Sequence, residues 1–517
     1  MPEEVVSLKQ NHFENSPHSF CTEKQPRMLY LLCLTELFER FGHYVMRGIL
    51  VLYMSKILLF SNDRSYAIFA GFSALLYLAP FLGGHLADKI LGTKRAILVG
   101  GILLTLGYGL LAVPGTKYFY DALAIIVAGS GFFIPNMAGI VGQLYEKNDA
   151  RREGGFSIFY AGINLGALIP PIIIASVIFK FGWHAGFFLA SIVVLFGTLI
   201  FYFSLRNAPY VGETPELKQN YSKKILQYFL IALGTLLLIS FFSELIKKPD
   251  LANKIVFTSG ACFFVYAFRK SFDFPKTQRD RLFVCFFLTL FSVIFEVLLQ
   301  QTAMSMTIFV EDNVQRNLNS WVMPTVMFHA LNPFFIILCA PLFAKMWLWL
   351  DRRNFNPSVP TKFAYGTLLI GAGFVILPFA ISQSSTGKIG IIWIVLSYFL
   401  QSSGELLVSP VGLSLITEMS PRNMVGLMMG LWYFATAVAN SIAGIVSQWT
   451  IVAFSVNNPI ITAPAYAQTF GMLGVISIIA GVMAFAAIPR LKSMLSVKNE
   501  VSERSHAALP SLNLSSS

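Results

Sequence analysis

Six polar side chains interrupt one apolar, helix-length run between Leu31 and Leu52: Glu36, Glu39, Arg40, His43, Tyr44 and Arg47, in the string ELFERFGHYVMRG. Their spacing (i, i+3, i+4, i+7, i+8, i+11) puts all six on one helical stripe, with Leu, Phe, Val and Ile elsewhere. An ionisable group near the middle of a bilayer costs roughly 2.5–3.5 kcal/mol on insertion scales, so groups kept there line a pathway or a ligand. Glu36 and Glu39 share Arg40 as nearest cation in the sequence. Two carboxylates with one partner do not both stay ionised, which suits one of them to carry a proton. Arg47, about three turns from Glu36, can grip a carboxylate bidentately.

These charges need an apolar frame. Of 517 residues, 55% are hydrophobic and 12% charged, and the mean hydropathy is +0.65; a soluble protein of this length could not hide so much apolar surface. Stretches able to cross a ~30 Å hydrocarbon core with ~20 residues recur at about 28–58, 66–87, 96–114, 120–145, 156–179, 183–205, 224–246, 253–270, 282–310, 325–350, 362–383, 389–418, 424–452 and 466–489, fourteen in all. The runs are continuous and too long for alternating barrel strands, so the chain is expected to be an all-α membrane protein. Six spans precede a polar linker, two form a close hairpin, and six complete the chain. This order divides it into a tail at 1–27, a six-helix bundle at 28–205, linkers with an inserted hairpin at 206–281, a second six-helix bundle at 282–492 and a Ser-rich disordered tail at 493–517. Two bundles of six suggest inverted repeats with a substrate site at mid-membrane between them. The hairpin, whose spans carry one acidic residue, Glu244, reads as scaffold facing lipid.

The isoelectric point near 9.4 reports topology rather than a nucleic-acid partner. With the N-terminus inside, 27 of the 38 Lys and Arg fall in inner segments, nine lie outside, and Arg40 and Arg47 lie within a helix. The positive-inside rule then puts both termini in the cytoplasm. Five cysteines are scattered without CxxC spacing, so neither a disulfide framework nor a metal site is implied. The chain has no nucleophile with a base at usable spacing, no phosphate loop and no metal cluster, and an enzyme is not expected.

Residues 83–95, GGHLADKILGTKR, follow the second span. Gly84, Asp88, Gly92, Lys94 and Arg95 match the loop signature of the major facilitator superfamily, with glycine for close helix approach and charges to pair across a cytoplasmic gate. The first-helix string narrows this: Glu36-x-x-Glu39-Arg40-Phe41-x-x-Tyr44 resembles the ExxERFxxY signature of the proton-dependent oligopeptide transporters. FSIFYAGINLGALI (156–169), HALNPFFIILCAP (329–341), GELLVSPVGLSLITEMSP (404–421) and LMMGLWYFATAVAN (427–440) resemble that family's motifs in the fifth, eighth, tenth and eleventh helices of the two bundles. The resemblance implies the major facilitator fold and a proton-coupled symporter importing di- and tripeptides by alternating access. It also implies a bacterial inner-membrane location, action as a monomer, and no cofactor beyond the coupling proton. A relative carrying another small zwitterionic or anionic solute, or a peptide-binding sensor that does not transport, stays open.

Residue by residue, Glu36, Glu39, Arg40 and Tyr44 match the coupling end of the signature, and Arg47 the family's carboxylate-binding arginine. Asn164 and Asn332 match asparagines whose amides meet the peptide's amine and carbonyl. Glu405 matches a glutamate for the amine end or for gate ion pairs, while Tyr77, Trp432 and Phe328 are candidate pocket walls. Three positions depart from the pattern. Ile134 stands where the family usually has a lysine paired with the first-helix glutamates, so coupling runs on Glu36, Glu39 and Arg40 alone or has been altered. Gln300 falls where many members carry a glutamate, and Glu296 sits one turn earlier on the same face, able to substitute for it. His43 replaces a usual tyrosine and titrates near neutral pH.

Glu36→Gln or Glu39→Gln is expected to abolish uptake driven by a pH gradient while counterflow survives. Equal loss of both activities would instead mean a folding or binding defect.

Overall fold

The computed structural model describes residues 24–146, 149, 151–205, 221–355, 357–421, 423–452 and 458–496. Residues 1–23, residues 497–517 and most of the 206–223 linker lie outside the described residues; the first four residues of the tail expected to be disordered from 493 instead end the last helix, Pro459–Ser496. Fifteen α-helices account for nearly all of the rest. Eight make up the first bundle and the hairpin: α1 Arg27–Lys56, α2 Asn62–Leu86, α3 Thr93–Leu111, α4 Phe119–Gly142, α5 Arg151–Phe181, α6 Trp183–Ser204, α7 Tyr221–Lys247 and α8 Pro249–Ser271. Seven follow: α9 Lys276–Gln300, α10 Ser305–Asn313, α11 Leu331–Asp351, α12 Val359–Ser382, α13 Ile391–Met419, α14 Val425–Gln448 and α15 Pro459–Ser496.

Among the described residues, thirteen helical segments are long and apolar enough to cross a membrane. The 30-residue α1 runs alongside them with its polar stripe interrupting the apolar run, and completes the fourteen segments expected. With an even number of crossings, the start of α1 and the end of α15 share one face of the bundle, called here the terminal face, opposite a far face.

Two helices carry breaks that the linear pattern hid. The 3-10 turn Gln301–Ala303 joins α9 to α10, and Thr325–Ala330 leads as a 3-10 turn into α11. The first break is propped by Gln301, whose Nε2 donates to the Ala443 carbonyl at 3.1 Å and whose Oε1 accepts from Ser305 and Ser447 Oγ at 2.5 and 2.8 Å. A break in a helix inside an apolar medium needs such substitutes because no water can satisfy the freed groups.

Within the first bundle α1 packs on α5 and α6, α3 on α4 and α6, and α2 on α4; within the second, α12 packs on α13 and α15, and α9 on α14 and α15. The bundles meet along two seams, α2 on α14, and α5 on α11 and the turn before it. The hairpin exposes Leu226, Phe229, Leu236 and Leu237, as scaffold facing lipid should. Its inner face does more. Helix α7 lies on α4, tied by Ser243 Oγ donating to Asp121 Oδ1 at 2.6 Å, and α8 sits over the α2–α14 seam. There Ala74, Val256 and Ala437 are buried together, and the Phe263 ring stacks on Phe434 at 4.8 Å.

Close approach of α2 and α4 is set by Gly83 rather than Gly84. A Cβ on Gly83 would stand 2.0 Å from the Gly131 carbonyl oxygen, whereas one on Gly84 would meet only Pro135 at an ordinary 3.6 Å. Gly92 turns the chain between α2 and α3 at φ +76°, a left-handed conformation that favours glycine.

Gly83→Ala is expected to push α2 off α4 at a cost of about 1–3 kcal/mol, seen as a lower melting temperature in detergent. Gly139→Ala, where nothing lies within 4 Å of the new atom, should leave the melting temperature unchanged or raise it slightly.

Candidate functional site

The stripe on α1 divides into two environments. Toward the terminal face, Arg40 Nε stands 3.1 Å from Glu36 Oε1 and 2.6 Å from Glu39 Oε2. Glu36 and Glu39 are 4% and 1% exposed, so both carboxylates approach a single guanidinium nitrogen away from solvent. One negative charge of the three groups has no counterpart, and a proton on either carboxyl would neutralise it. The ring of Tyr108 on α3 packs against Gly42 of α1, 2.9 Å from where a Cβ would stand, and closes the cluster on that side. Ile134 is half-buried on α4.

One turn on from Arg40, the stripe opens into a cavity between the bundles. The cavity volume is about 170 Å³. Tyr44, Arg47 and Gly48 of α1 and Tyr77 of α2 form one wall; Glu296, Leu299, Gln300, Thr302, His329, Asn332, Tyr398, Glu405 and Ser409 form the other. Arg47 Nη2 donates to Gln300 Oε1 at 2.8 Å, across the bundle interface. Asn332 Nδ2 donates to Glu405 Oε2 at 2.8 Å and to Ser402 Oγ at 3.1 Å. Among the described residues no ion pair involves Arg47, Glu296 or Glu405. Tyr44 lines the cavity one turn from Arg40 and joins it to the acidic cluster.

Seven of the residues singled out in the sequence, Tyr44, Arg47, Tyr77, Glu296, Gln300, Asn332 and Glu405, come together here. Three do not line the cavity. Asn164 turns its amide back on its own helix, donating to the Tyr160 carbonyl at 3.0 Å, and Trp432 lies against Gly412 of α13. Phe328, 1% exposed, is packed behind the wall. Sequence reasoning missed His329, whose ring Nε2 pairs with Thr307 Oγ1 at 3.2 Å, and Tyr398 and Ser409. A signal existed: Tyr398, Ser402, Glu405 and Ser409 recur at i, i+4, i+7 and i+11, the same kind of polar stripe that marks α1.

The 83–95 loop also differs from its expected pairing. Ala87–Leu91 forms a π-helical turn; the Asp88 side chain lies outside what the structure describes. Arg95, expected to pair across a gate, instead hydrogen-bonds the Tyr228 hydroxyl of the hairpin, its guanidinium 5.6 Å from the ring centre. Lys94 begins α3 beside it.

At the far face the bundles are locked together. Lys56, at the end of α1, pairs with Glu311 of α10, which also accepts from the Thr325 hydroxyl and lies 3.2 Å from Arg316 Nη2. On α14, a Cβ at Gly444 would stand 2.3 Å from Ala70 of α2, so this part of the seam is shut. At the terminal face, Gly139 near the end of α4 and Gly426 at the start of α14 have nothing within 4 Å of a Cβ position. Beside the Lys56–Glu311 pair, a cavity of about 470 Å³ lined by Phe60, Asp312, Thr450 and Tyr466 lies at the far face.

Comparison with known proteins agrees in sequence and in fold. The sequence profile of the POT family matches residues 94–463. The chain is 32% identical to dipeptide and tripeptide permease A of Escherichia coli over 474 residues, 91% of this chain and 94% of that one. It is also 32% identical to permease A of Serratia proteamaculans over 490 residues, 94% of this chain and 96% of that one. A solved point mutant of a peptide transporter POT, in complex with alafosfalin, superposes with TM-score 0.80 at 31% identity, covering 91% of this chain and 96% of the other. A POT family transporter in complex with 5-aminolevulinic acid superposes with TM-score 0.78 at 27% identity, covering 90% and 97%.

Burial raises the Glu311 carboxyl, but Lys56, Thr325 and Arg316 outweigh it and hold it below the usual carboxylate range. A carboxyl lowered on closure stabilises the closed far face above its ordinary pKa of ~4.3, and that stability is lost only as pH falls through the lowered value. Glu311 should thus add no pH dependence to far-face closure from about 8 to 5; Asp312 beside it, pushed up to about 6 by burial and by Glu311, is the group expected to titrate in that window. Lys56→Ala is expected to raise the long-distance population between spin labels at Asp63 and Lys388, and Lys56→Arg to leave it unchanged.

Proposed function

Because this chain belongs to the POT family, we propose that it is a symporter that carries di- and tripeptides with protons across a bacterial inner membrane. One observation carries the reading: a cavity between the two bundles holds Arg47 on one wall and Glu405, steadied by Asn332, on the other. A peptide backbone is a zwitterion with its charges at its ends. Arg47 suits the carboxylate through a forked guanidinium, Glu405 and Asn332 suit the amine, and Tyr44 and Tyr77 leave an accommodating middle. The small zwitterion named for one structural neighbour, 5-aminolevulinic acid, has the same end groups, and supports a second reading in which such solutes share the site.

The excess of Lys and Arg at the terminal face supports its assignment to the cytoplasm, with both chain ends inside. Rocking of the bundles about the α2–α14 and α5–α11 seams would part Lys56 from Glu311 and open the cavity outward. Glu36 and Glu39, sharing Arg40, are the groups proposed to take the proton, and Tyr44 links their state to the cavity. The protein works as a monomer, and the proton is its only coupling species.

In proteoliposomes with an acid-outside gradient, labelled dialanine should accumulate, and unlabelled dialanine should compete. Arg47→Ala should raise the half-saturating dialanine concentration about tenfold or more, as loss of a ~1.5–3 kcal/mol charged hydrogen bond requires. Binding without accumulation, or no competition by dialanine, would sink the proposal.

A further inference from the structure

Glu296 is the cavity charge that the backbone of a peptide leaves unused. Resting on the peptide reading of this cavity, we infer that Glu296 selects peptides bearing a cationic side chain, lysyl and arginyl dipeptides above neutral or acidic ones. A zwitterionic guest brings one cation and one anion, and the cavity offers two carboxylates, Glu296 and Glu405, against one guanidinium, Arg47.

Two hydrogen bonds decide which acid is spare. Arg47 is held by the neutral amide of Gln300 at 2.8 Å. Its positive charge is therefore not spent on the protein and remains for the peptide carboxylate. A glutamate at 300 would have consumed it. Glu405 is held by the amide of Asn332 at 2.8 Å, with Ser402 beside it, an arrangement that orients a carboxylate without neutralising it and suits the terminal amine.

Glu296 lies four residues before Gln300 on α9, about 6 Å along the helix toward the terminal face. It lines the same cavity as Gln300, a neutral neighbour, and among the described residues it has no ion pair. Tyr77 stands on the facing wall, and a cation placed between a carboxylate and an aromatic face gains from both. His329, the cavity's imidazole, is engaged by Thr307.

When the bundles close over a neutral peptide, Glu296 must be desolvated without a counter-charge, which is costly. A lysyl or arginyl side chain supplies that charge and removes the penalty. An acidic side chain adds repulsion.

The test is competition for counterflow of labelled dialanine in proteoliposomes of the full chain at equal pH on both sides. Lysyl-alanine and alanyl-lysine should compete about tenfold better than glutaminyl-alanine, and glutamyl-alanine should be the poorest. In Glu296→Gln the lysyl-to-glutaminyl ratio should fall to about one, and Glu296→Asp should restore most of it. In Glu405→Gln all peptides should weaken together with the ratio kept, because that residue meets the shared amine. Equal competition by lysyl and glutaminyl peptides in the native protein would overturn the inference, as would a ratio untouched in Glu296→Gln. Loss of gradient-driven uptake in Glu296→Gln with the counterflow ratio intact would also overturn it, since Glu296 would then be handling the proton. If dialanine itself is not carried, the peptide reading falls and this inference with it; if dialanine is carried without lysyl preference, only this inference falls.

Discussion

Arg40 is shared, and the protein is organised around that shortage of positive charge. Its Nε is within 3.1 Å of Glu36 and 2.6 Å of Glu39, in a region where solvent cannot make up the deficit. An uncompensated charge in a low-dielectric medium costs several kcal/mol, so the cluster must take up a proton, rearrange, or exchange partners. Many members of the family are expected to place a lysine opposite these glutamates. Ile134 removes that option and makes the state of the cluster depend on α1 itself.

The cavity obeys a different rule on the same helix. Arg47 and Glu405 are steadied by neutral amides rather than by opposite charges, which preserves their fields for a guest while holding the side chains in place. A salt bridge would hold them as firmly and would have to be broken by every substrate. Position 300 carries an amide and position 296 an acid, which sets that carboxylate one helical turn from the residue that holds Arg47. Tyr44, between the two regions, is the side chain through which a change in the first can be felt in the second.

Both regions depend on helices that move as blocks. Glycine at α2–α4 and at the α2–α14 seam lets backbones approach closely, and the hairpin braces α4 on one side and the seam on the other. The Lys56–Glu311 pair sits outside this apolar packing, on the far face, where an ion pair can form and break in contact with water. A lock of that kind suits a protein that must alternate, because surface pairs are worth little individually and can be exchanged without a large barrier.

Composition and periodicity by themselves determined that the chain is a bundle of membrane-crossing helices, how many segments it has, and which face of the first helix is polar. Continuous apolar runs and charges at helical spacing admit few other solutions, because backbone groups in lipid must be satisfied within each segment. The same reasoning, with the family resemblance, singled out seven residues that line the cavity. It did not determine where a side chain turns once the helix is placed. Asn164 folds back on Tyr160, Trp432 covers Gly412, Arg95 finds the hairpin tyrosine, and Gly83 rather than its neighbour takes the tight approach. His329 and Thr302 reach the cavity from 3-10 turns set by contacts with other helices, so no local pattern announces them. Only the tertiary structure decided which charges are paired, since pairing depends on distances across the bundle interface: Arg47 with Gln300, Glu405 with Asn332, Lys56 with Glu311, and Glu296 with no cation among the described residues.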